Sequence, residues 1–163
     1  MKKFAAPKLT SSLIALIASL SAMTAHAGDI SVSTGVDVVT DYVFRGVSLA
    51  DTAVQPFVEA SKGDFTVGAW VSTAIGDTSA AAGDEVDLYA SYGFDLSDKI
   101  SASVGMTYYH YPQGGSLFET DNGAAGTYEA SLSLGFDTIL EPSLSAYYDV
   151  TLEAFTLEGG VSH

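Results

Sequence analysis

Residues 29–46 alternate strictly enough to constrain the fold of the whole chain. The even-numbered positions are apolar, β-branched or aromatic, whereas the odd-numbered positions are mostly small or charged. Because successive side chains of a β-strand point to opposite faces, this pattern predicts one strand with an apolar face and a polar face. Strands usually have about five or six residues, and roughly 9–11 tilted residues cross a bilayer. Both a membrane strand and a long strand of a soluble sandwich fit this stretch.

The first 27 residues predict a cleaved signal peptide rather than part of the fold. Three lysines within the first eight residues precede an apolar and small-residue run at 9–22, and an Ala-His-Ala cleavage site follows at 25–27. The run is shorter than the about 20 residues of a membrane helix. We therefore expect an exported chain in which residues 28–163 form one domain.

The charge and the lack of cysteine exclude several classes of protein. All 20 acidic residues follow the predicted signal peptide, and only Arg45, Lys62 and Lys99 oppose them. This excess of negative charge argues against nucleic acid and anionic membrane surfaces as partners. The chain has no cysteine, so an exported domain needs another means of stabilisation than disulfides, and a closed barrel is one.

Further stretches alternate with the same period of two and are predicted to be strands. Pro56 weakens the first of them, because proline cannot donate to a strand ladder. The predicted strands are 53–61, 65–72, 84–95, 100–109, 127–136, 143–150, and a last one that begins near Phe155 and continues to His163. Short turns such as 62–64 and 96–99 alternate with longer loops at 47–52, 75–83 and 112–126. Long loops at one end and short turns at the other are typical of outer-membrane barrels.

Aromatic residues collect at the ends of the predicted strands, on the apolar parity. Two aromatic bands on an outward face are what the two membrane interfaces select. We therefore predict an all-β fold, an antiparallel up-and-down transmembrane β-barrel with about eight strands present. A soluble β-sandwich, whose two sheets pack apolar face to apolar face, is the alternative. The aromatic girdle candidates are Tyr42, Phe44, Tyr108, Tyr128 and Tyr148 near the long loops, and Phe65, Phe94 and Phe136 beside the short turns.

The opposite parity carries small, hydroxyl and acidic side chains and supplies the candidate pore-lining residues. Arg45 shares this parity with Asp37 and Asp41. Two roles for Arg45 stay open: a clamp that pairs with a neighbouring acid, or one wall of a constriction. The pore-lining candidates are Asp37, Asp41, Arg45, Glu59, Asp87, Asp95, Glu129 and Asp149.

No catalytic or metal-binding pattern is evident in the sequence. His26 lies in the predicted signal, His163 ends the chain, and His110 stands between tyrosines without a positioned partner. Zinc-ligand spacing and EF-hand loops are absent from the sequence, so we expect neither enzyme activity nor a cofactor. Solvated charge is the simplest explanation of the acids that could attract Ca²⁺ loosely, which are Asp77, Asp84, Glu85, Asp87 and Asp121.

One motif resembles a known family. Residues 40–48, Thr-Asp-Tyr-Val-Phe-Arg-Gly-Val-Ser, resemble the D-Y-x-F-R-G-x-S signature that opens the TorF porin family of proteobacterial outer-membrane proteins. The resemblance extends loosely over 31–163 and implies a β-barrel in the outer membrane of a Gram-negative bacterium. The chain departs from the family at Leu49, where a polar residue is usual, and by ending inside a predicted strand. We therefore expect further strands after His163.

The function expected from these features is passive passage of small, cationic or neutral solutes, with outer-membrane lipid and those solutes as partners. Serine and glycine on the polar parity leave room for water, which favours a channel. Eight strands alone would leave an interior filled by side chains, so a narrow filled barrel with a structural or adhesive role is a second hypothesis. A soluble exported sandwich that binds a ligand is a third.

Overall fold

The computed structural model describes residues 20–27, 29–75 and 83–162. They form β-strands joined by turns, with one short 3-10 turn at Asp121–Gly123. No helix in these ranges is long and apolar enough to cross a membrane. The strands are β1 (Leu20–Ala27), β2 (Ile30–Val39), β3 (Tyr42–Phe44), β4 (Val47–Ala50), β5 (Ala53–Lys62), β6 (Phe65–Ala74), β7 (Glu85–Ser97), β8 (Ile100–His110), β9 (Gly126–Phe136), β10 (Ser143–Asp149) and β11 (Ala154–Gly160).

Nine of these strands form one sheet in the order β1-β2-β5-β6-β7-β8-β9-β10-β11. Every pairing is antiparallel, and the order follows the chain except that β3 and β4 are left out. The predicted all-β antiparallel meander is therefore confirmed. Within the described ranges β11 pairs with β10 alone, so this sheet is not a closed barrel.

The connections of the sheet differ in length between its two ends. At one end the turns are 63–64, 98–99 and 137–142, and at the other the connections are 40–52, 75–84, 111–125 and 150–153. Three long connections thus share one end with the single four-residue turn 150–153.

The burial of the sheet is reversed relative to that of a soluble protein. We define the polar face of the sheet as the face that carries Glu59, Asp87 and Glu129, and the apolar face as the opposite one. Three strongly buried side chains of the polar face, Asp87, Glu129 and Asp149, expose 7% or less of their surface. On the apolar face Met106 exposes 50% and Leu132 46%. In a water-soluble sheet the apolar face packs inward; here no second sheet of the described residues covers it, so they do not form the alternative sandwich.

The first predicted strand is wrong beyond Val39. The chain bends at residues 40–41, and β3 and β4 then pair with each other as a separate two-stranded sheet. We call residues 42–50 the Arg45 hairpin. Its two turn residues, Arg45 and Gly46, have φ of 48° and 81°. Two positive φ values are the mark of a type I′ turn, whose twist suits a two-residue hairpin loop.

The Arg45 hairpin lies against the polar face, and the sheet curls around it. Tyr42 contacts Trp70 on β6, and Arg45 contacts Glu158 on β11. These two strands are five spacings apart in the sheet order, or ~24 Å in a flat sheet. Tyr42 and Arg45 are themselves at most ~10 Å apart along the chain. The sheet therefore bends toward the hairpin and makes its polar face concave.

The main apolar cluster lies where the hairpin meets the sheet. Its buried members are Val39, Tyr42, Ala50 and Ala53, and Phe44, Leu49, Trp70 and Ala74 pack against them. All of these contacts are on the polar-face side of the sheet. The packing holds the base of the hairpin, whereas the turn at Arg45 is held by charge.

The predicted signal peptide lies largely outside the described residues, which exclude 1–19 and Gly28. Residues 20–27 form β1, which pairs with β2 at one edge of the sheet. Cleavage after Ala27 would remove β1 and leave β2 as the edge strand. That cleavage stays a prediction.

Candidate functional site: the Arg45 hairpin on the polar face

Arg45 joins the tip of the hairpin to the far side of the sheet. Its Nη1 lies 2.7 Å from Glu129 Oε2 and its Nη2 donates to Glu129 Oε1 at 2.9 Å. Its Nε donates to Glu158 Oε1 at 3.3 Å. Two parallel N–H···O bonds to one carboxylate are the strongest arrangement that arginine offers. This geometry is that of a clamp.

Aromatic rings complete the surroundings of the guanidinium. Its carbon lies 4.7 Å from the ring centroid of Phe44 and 4.5 Å from that of Tyr147, within the range of cation–π attraction. Burial lowers the pKa of Arg45, but the hydrogen bonds and the charge of Glu129 outweigh this and set it above the ordinary 12.5. Arg45 is therefore charged at neutral pH.

Glu129 is the acceptor at the centre of this arrangement. It lies on β9, exposes 4% of its surface, and also accepts a hydrogen bond of 2.9 Å from the Tyr109 hydroxyl. A buried carboxylate is costly unless it is paired and hydrogen-bonded. Arg45 and Tyr109 together meet that requirement.

The base of the hairpin makes a second polar contact with the sheet. The Tyr42 hydroxyl donates to Glu85 Oε2 at 2.8 Å, and Glu85 exposes only 6% of its surface. The Tyr42 ring lies 5.7 Å from the Trp70 ring at an interplanar angle of 57°, a tilted geometry that aromatic pairs favour. The hairpin is thus attached at both ends.

Between these attachments, one acidic residue occupies a strand position between those of two aromatic residues. Asp87 is the Cα partner of Trp70 on β6 and of Tyr109 on β8. These three residues therefore form a row across three strands of the polar face, the Asp87 row. Asp87 exposes 5% of its surface, and its Oδ1 has no hydrogen-bond partner among the described residues.

A cavity of about 140 Å³ lies beside Tyr109, at one end of the Asp87 row. Phe44 and Tyr109 form part of its wall, together with the acids Glu129 and Asp149. Tyr111 also lines it, and burial raises the pKa of the Tyr111 hydroxyl, with further contributions from the charges of nearby carboxylates. Arg45 lines the cavity as well, so two acidic side chains and one guanidinium meet there.

Six of the eight candidate pore-lining residues lie on strands of the sheet and form three groups. Asp37, Glu59, Asp87 and Glu129 lie on the polar face, as their parity predicted, and Tyr89 donates to Glu59 at 3.1 Å. Asp149 lies there too, but its Oδ1 accepts from the backbone N–H groups of Thr151 and Leu152 and holds the β10–β11 turn. Asp95 is exposed near the short-turn end of β7.

Two placements correct the sequence analysis. Asp41 is not on the polar face, because it lies in the bend after β2, where Ser48 Oγ donates to it at 2.8 Å. Arg45 does not share a strand with Asp37, because the bend moves it onto the hairpin turn. Both differences from the predicted positions have one cause, the bend at residues 40–41.

The aromatic girdle candidates also separate. Tyr42 and Phe44 do not belong to the outer face, since the hairpin turns them onto the polar face against Trp70 and Tyr109. Tyr108 is buried because loop 111–125 covers it: its ring lies 5.4 Å from the Phe118 ring. The candidates that are exposed on the apolar face are Phe65, Phe94 and Tyr148. Tyr128 and Phe136 are half-buried there.

Metal-binding and histidine chemistry find little support in the geometry. Among the described residues, no three or more histidine and acidic side chains are spaced to hold a metal ion. Asp77 and His163 lie outside those residues. His110 Nδ1 contacts the Ala125 carbonyl at 3.0 Å, and this contact ties β8 to its loop.

Sequence reasoning missed several residues of this site. The sequence signal for these residues is their position on the polar parity, where Tyr109 and Glu85 alternate with apolar residues. The residues added by the structure are Trp70, Glu85, Tyr109, Tyr111, Tyr147 and Glu158.

Comparison with known proteins identifies a family whose function is unknown. Searches of curated proteins and of solved structures find no match. A model of the family Gcw_chp, described as a bacterial protein of unknown function, matches residues 23–158. The match spans the sheet from β2 to β10 and the whole Arg45 hairpin, and the chain belongs to the Gcw_chp family.

Proposed function

We propose that this protein is an outer-membrane β-barrel channel that gives passive passage to small cationic or neutral solutes. One observation carries the proposal: the sheet exposes its apolar face and buries its acidic one. Lipid is the solvent in which such a face is stable, because a barrel wall is apolar outside and polar inside. Closure of the barrel is part of this proposal.

The Arg45 hairpin is the constriction of the proposed channel. It lies on the concave polar face and contacts strands from β6 to β11. Around it the acids outnumber the single guanidinium: Glu85, Asp87 and Asp149 are buried in addition to Glu129. A lumen with this balance concentrates cations and repels anions.

A filled barrel with a structural or adhesive role is the second candidate. The observation that favours it is the same hairpin, because its packed base and its clamp occupy the interior. Small barrels are commonly filled by side chains in this way. Single-channel recording in a planar bilayer separates the candidates: discrete conductance steps support the channel, and their absence supports the filled barrel.

Lysine substitution at two depths of the apolar face tests the membrane location. Leu132 lies in the middle of β9 and Leu144 near the short-turn end of β10, and they expose 46% and 47% of their surface. In a bilayer, Leu132→Lys should lower the free energy of unfolding by about 2–4 kcal/mol and Leu144→Lys, nearer the interface, by less. In a water-soluble protein both exposed substitutions would stay within about 0.5 kcal/mol.

The measurement is urea unfolding in lipid vesicles, with fractionation of cells that produce the wild-type chain as a companion experiment. Equal and small effects of the two lysines would overturn the membrane proposal. Recovery of the wild-type chain in the soluble periplasm without detergent would overturn it independently.

A further inference from the structure

Part of loop 111–125 lies against the apolar face of the sheet. Tyr108 on β8 is the Cα partner of Tyr128 on β9, and both belong to that face. Tyr108 exposes only 4% of its surface. Its ring lies 5.4 Å from the Phe118 ring, and its hydroxyl donates to the Glu119 carbonyl at 2.9 Å. The loop therefore folds back beside Phe118 and covers this end of the apolar face.

The folded-back segment is a turn with its own hydrogen bonds. We call residues 116–119 the tip turn. The Glu119 N–H donates to the Ser116 carbonyl at 3.1 Å, and the Ser116 N–H donates to Glu119 Oε2 at 2.8 Å. Together with the bond from Tyr108, these contacts fix both ends of the turn. Its two middle residues, Leu117 and Phe118, are thereby held in place.

The two middle residues are apolar, and one of them has a strained backbone. Leu117 exposes 50% of its surface and Phe118 exposes 60%. Phe118 has φ of 69° at the third position of the turn, where a positive φ usually requires glycine or asparagine. Strained positions cluster at functional sites. A large apolar side chain that is both strained and exposed indicates a contact beyond the described residues.

The position of the tip turn on the sheet favours lipid as that partner. Phe118 packs on Tyr108, whose ring lies 4.6 Å from that of Tyr128 at the long-loop end of the apolar face. Farther along the same two strands, Met106 and Leu132 are exposed. The tip turn therefore continues the apolar surface that the proposed function assigns to lipid. Aromatic rings at the ends of strands are what a membrane interface selects.

We propose that Leu117 and Phe118 insert into the lipid interface at the long-loop end of the sheet and anchor loop 111–125 there. Phe118 takes the place in the aromatic girdle of Tyr108, which it covers. The loop carries two acids, Glu119 and Asp121, and no basic residue, so the contact is apolar rather than an attraction to anionic headgroups. This inference rests on the membrane location in the proposed function and is independent of whether the barrel conducts.

The experiment measures the depth of single fluorescent labels in a bilayer. The chain has no cysteine, so Leu117→Cys, Leu132→Cys and Gln113→Cys each give one site for a maleimide that carries a polarity-sensitive fluorophore. Gln113 is an exposed polar residue of the same loop and is the matched control. The full chain is folded into phosphatidylcholine vesicles whose lipids carry a quenching nitroxide either near the headgroup or near the end of the acyl chain.

We expect the label at residue 117 to emit at shorter wavelength than the label at 113 and to be quenched more by the shallow nitroxide than by the deep one. The label at 132 should be quenched more by the deep nitroxide, and Phe118→Ser should reduce the quenching at 117.

Quenching at 132 but no more at 117 than at 113 would overturn the anchor and leave the membrane barrel intact. A short-wavelength label at 117 that neither nitroxide quenches would also overturn it, with a second copy of the chain as the partner. An unchanged signal in the Phe118→Ser variant would contradict anchoring by Phe118. Absence of quenching at 132 would refute the membrane location itself.

Discussion

Arg45 and Glu129, 84 residues apart in the chain, form a two-point ion pair with N···O distances of 2.7 and 2.9 Å. The arginine side chain is 20% exposed and the glutamate side chain 5%. The pair therefore lies mostly out of water, where the loss of either partner leaves a charge without compensation. It joins a hairpin that follows β2 to a strand on the other side of the polar face.

Arg45→Ala should destabilise the fold strongly. Removing one partner of a buried ion pair costs about 3–5 kcal/mol, because the remaining charge is stranded. Arg45→Lys should cost less, since it keeps the charge but offers no two-point geometry. The measurement is the free energy of unfolding in urea, followed by Trp70 fluorescence.

Lys99→Ala, at an exposed basic residue of the β7–β8 turn, is the control and should change that free energy by no more than about 0.5 kcal/mol. If Arg45→Ala were as mild as the control, the clamp would contribute nothing to stability and the hairpin would be held by its apolar base alone.

Gly46→Ala should destabilise the hairpin through backbone strain alone. Gly46 has φ of 81°, and an added Cβ would meet nothing within 4 Å. A non-glycine residue in the left-handed region costs roughly 1–2 kcal/mol. Gly93→Ala is a matched control, because its Cβ would also find room, with the nearest atoms at 3.9 Å, but its φ is not positive. Equal unfolding free energies for the two variants would contradict the type I′ turn.

The long-loop end of the sheet should face the outside of the cell. The chain has no cysteine, so a single introduced cysteine is a unique label site. Ser116→Cys in loop 111–125 should react with a membrane-impermeant maleimide on intact cells. Asp64→Cys in the β5–β6 turn should react only after permeabilisation; both residues are exposed. The opposite pattern of labelling would reverse the orientation that we assign.

A conducting protein should prefer cations, and Asp37 should contribute to that preference. Asp37 lies on the polar face opposite Gln55, away from the clamp. Asp37→Asn should move the reversal potential under a KCl gradient toward zero, and the wild-type preference should shrink at 1 M salt, where the Debye length is about 3 Å. Asp137→Asn, in an exposed turn, should leave the potential unchanged. Anion preference at low salt would exclude these acids from the conduction path.

The strands were predictable because side-chain parity is a local property. Residues 84–95 and 127–136 alternate cleanly, and the structure places β7 and β9 within two residues of those bounds. Sheet order followed from the short turns, since consecutive antiparallel strands joined by a few residues are neighbours. The reversed burial followed from the two parities as well.

The Arg45 hairpin was not predictable from parity. Tyr42 and Phe44 continue the alternation of β2, although the bend at residues 40–41 carries them to the opposite side of the sheet. A two-residue hairpin turn is usually announced by Asn-Gly or Asp-Gly, and Arg-Gly is a weaker signal. The sequence also does not identify the partner of Arg45, because Glu129 and Glu158 come near it only when the sheet curls.

The clamp joins residues that are far apart in the sequence, and this separation limits when it can form during folding. The contact between Arg45 and Glu158 spans 113 residues, whereas the strand pairings of the sheet join neighbours along the chain. Short-range contacts close small loops and form early, and contacts across a large loop form late. The base of the hairpin can pack as soon as β6 and β7 are present, since Tyr42 contacts Trp70 and Glu85. The Arg45 clamp can close only when β9 and β11 have joined the sheet, because those strands carry Glu129 and Glu158.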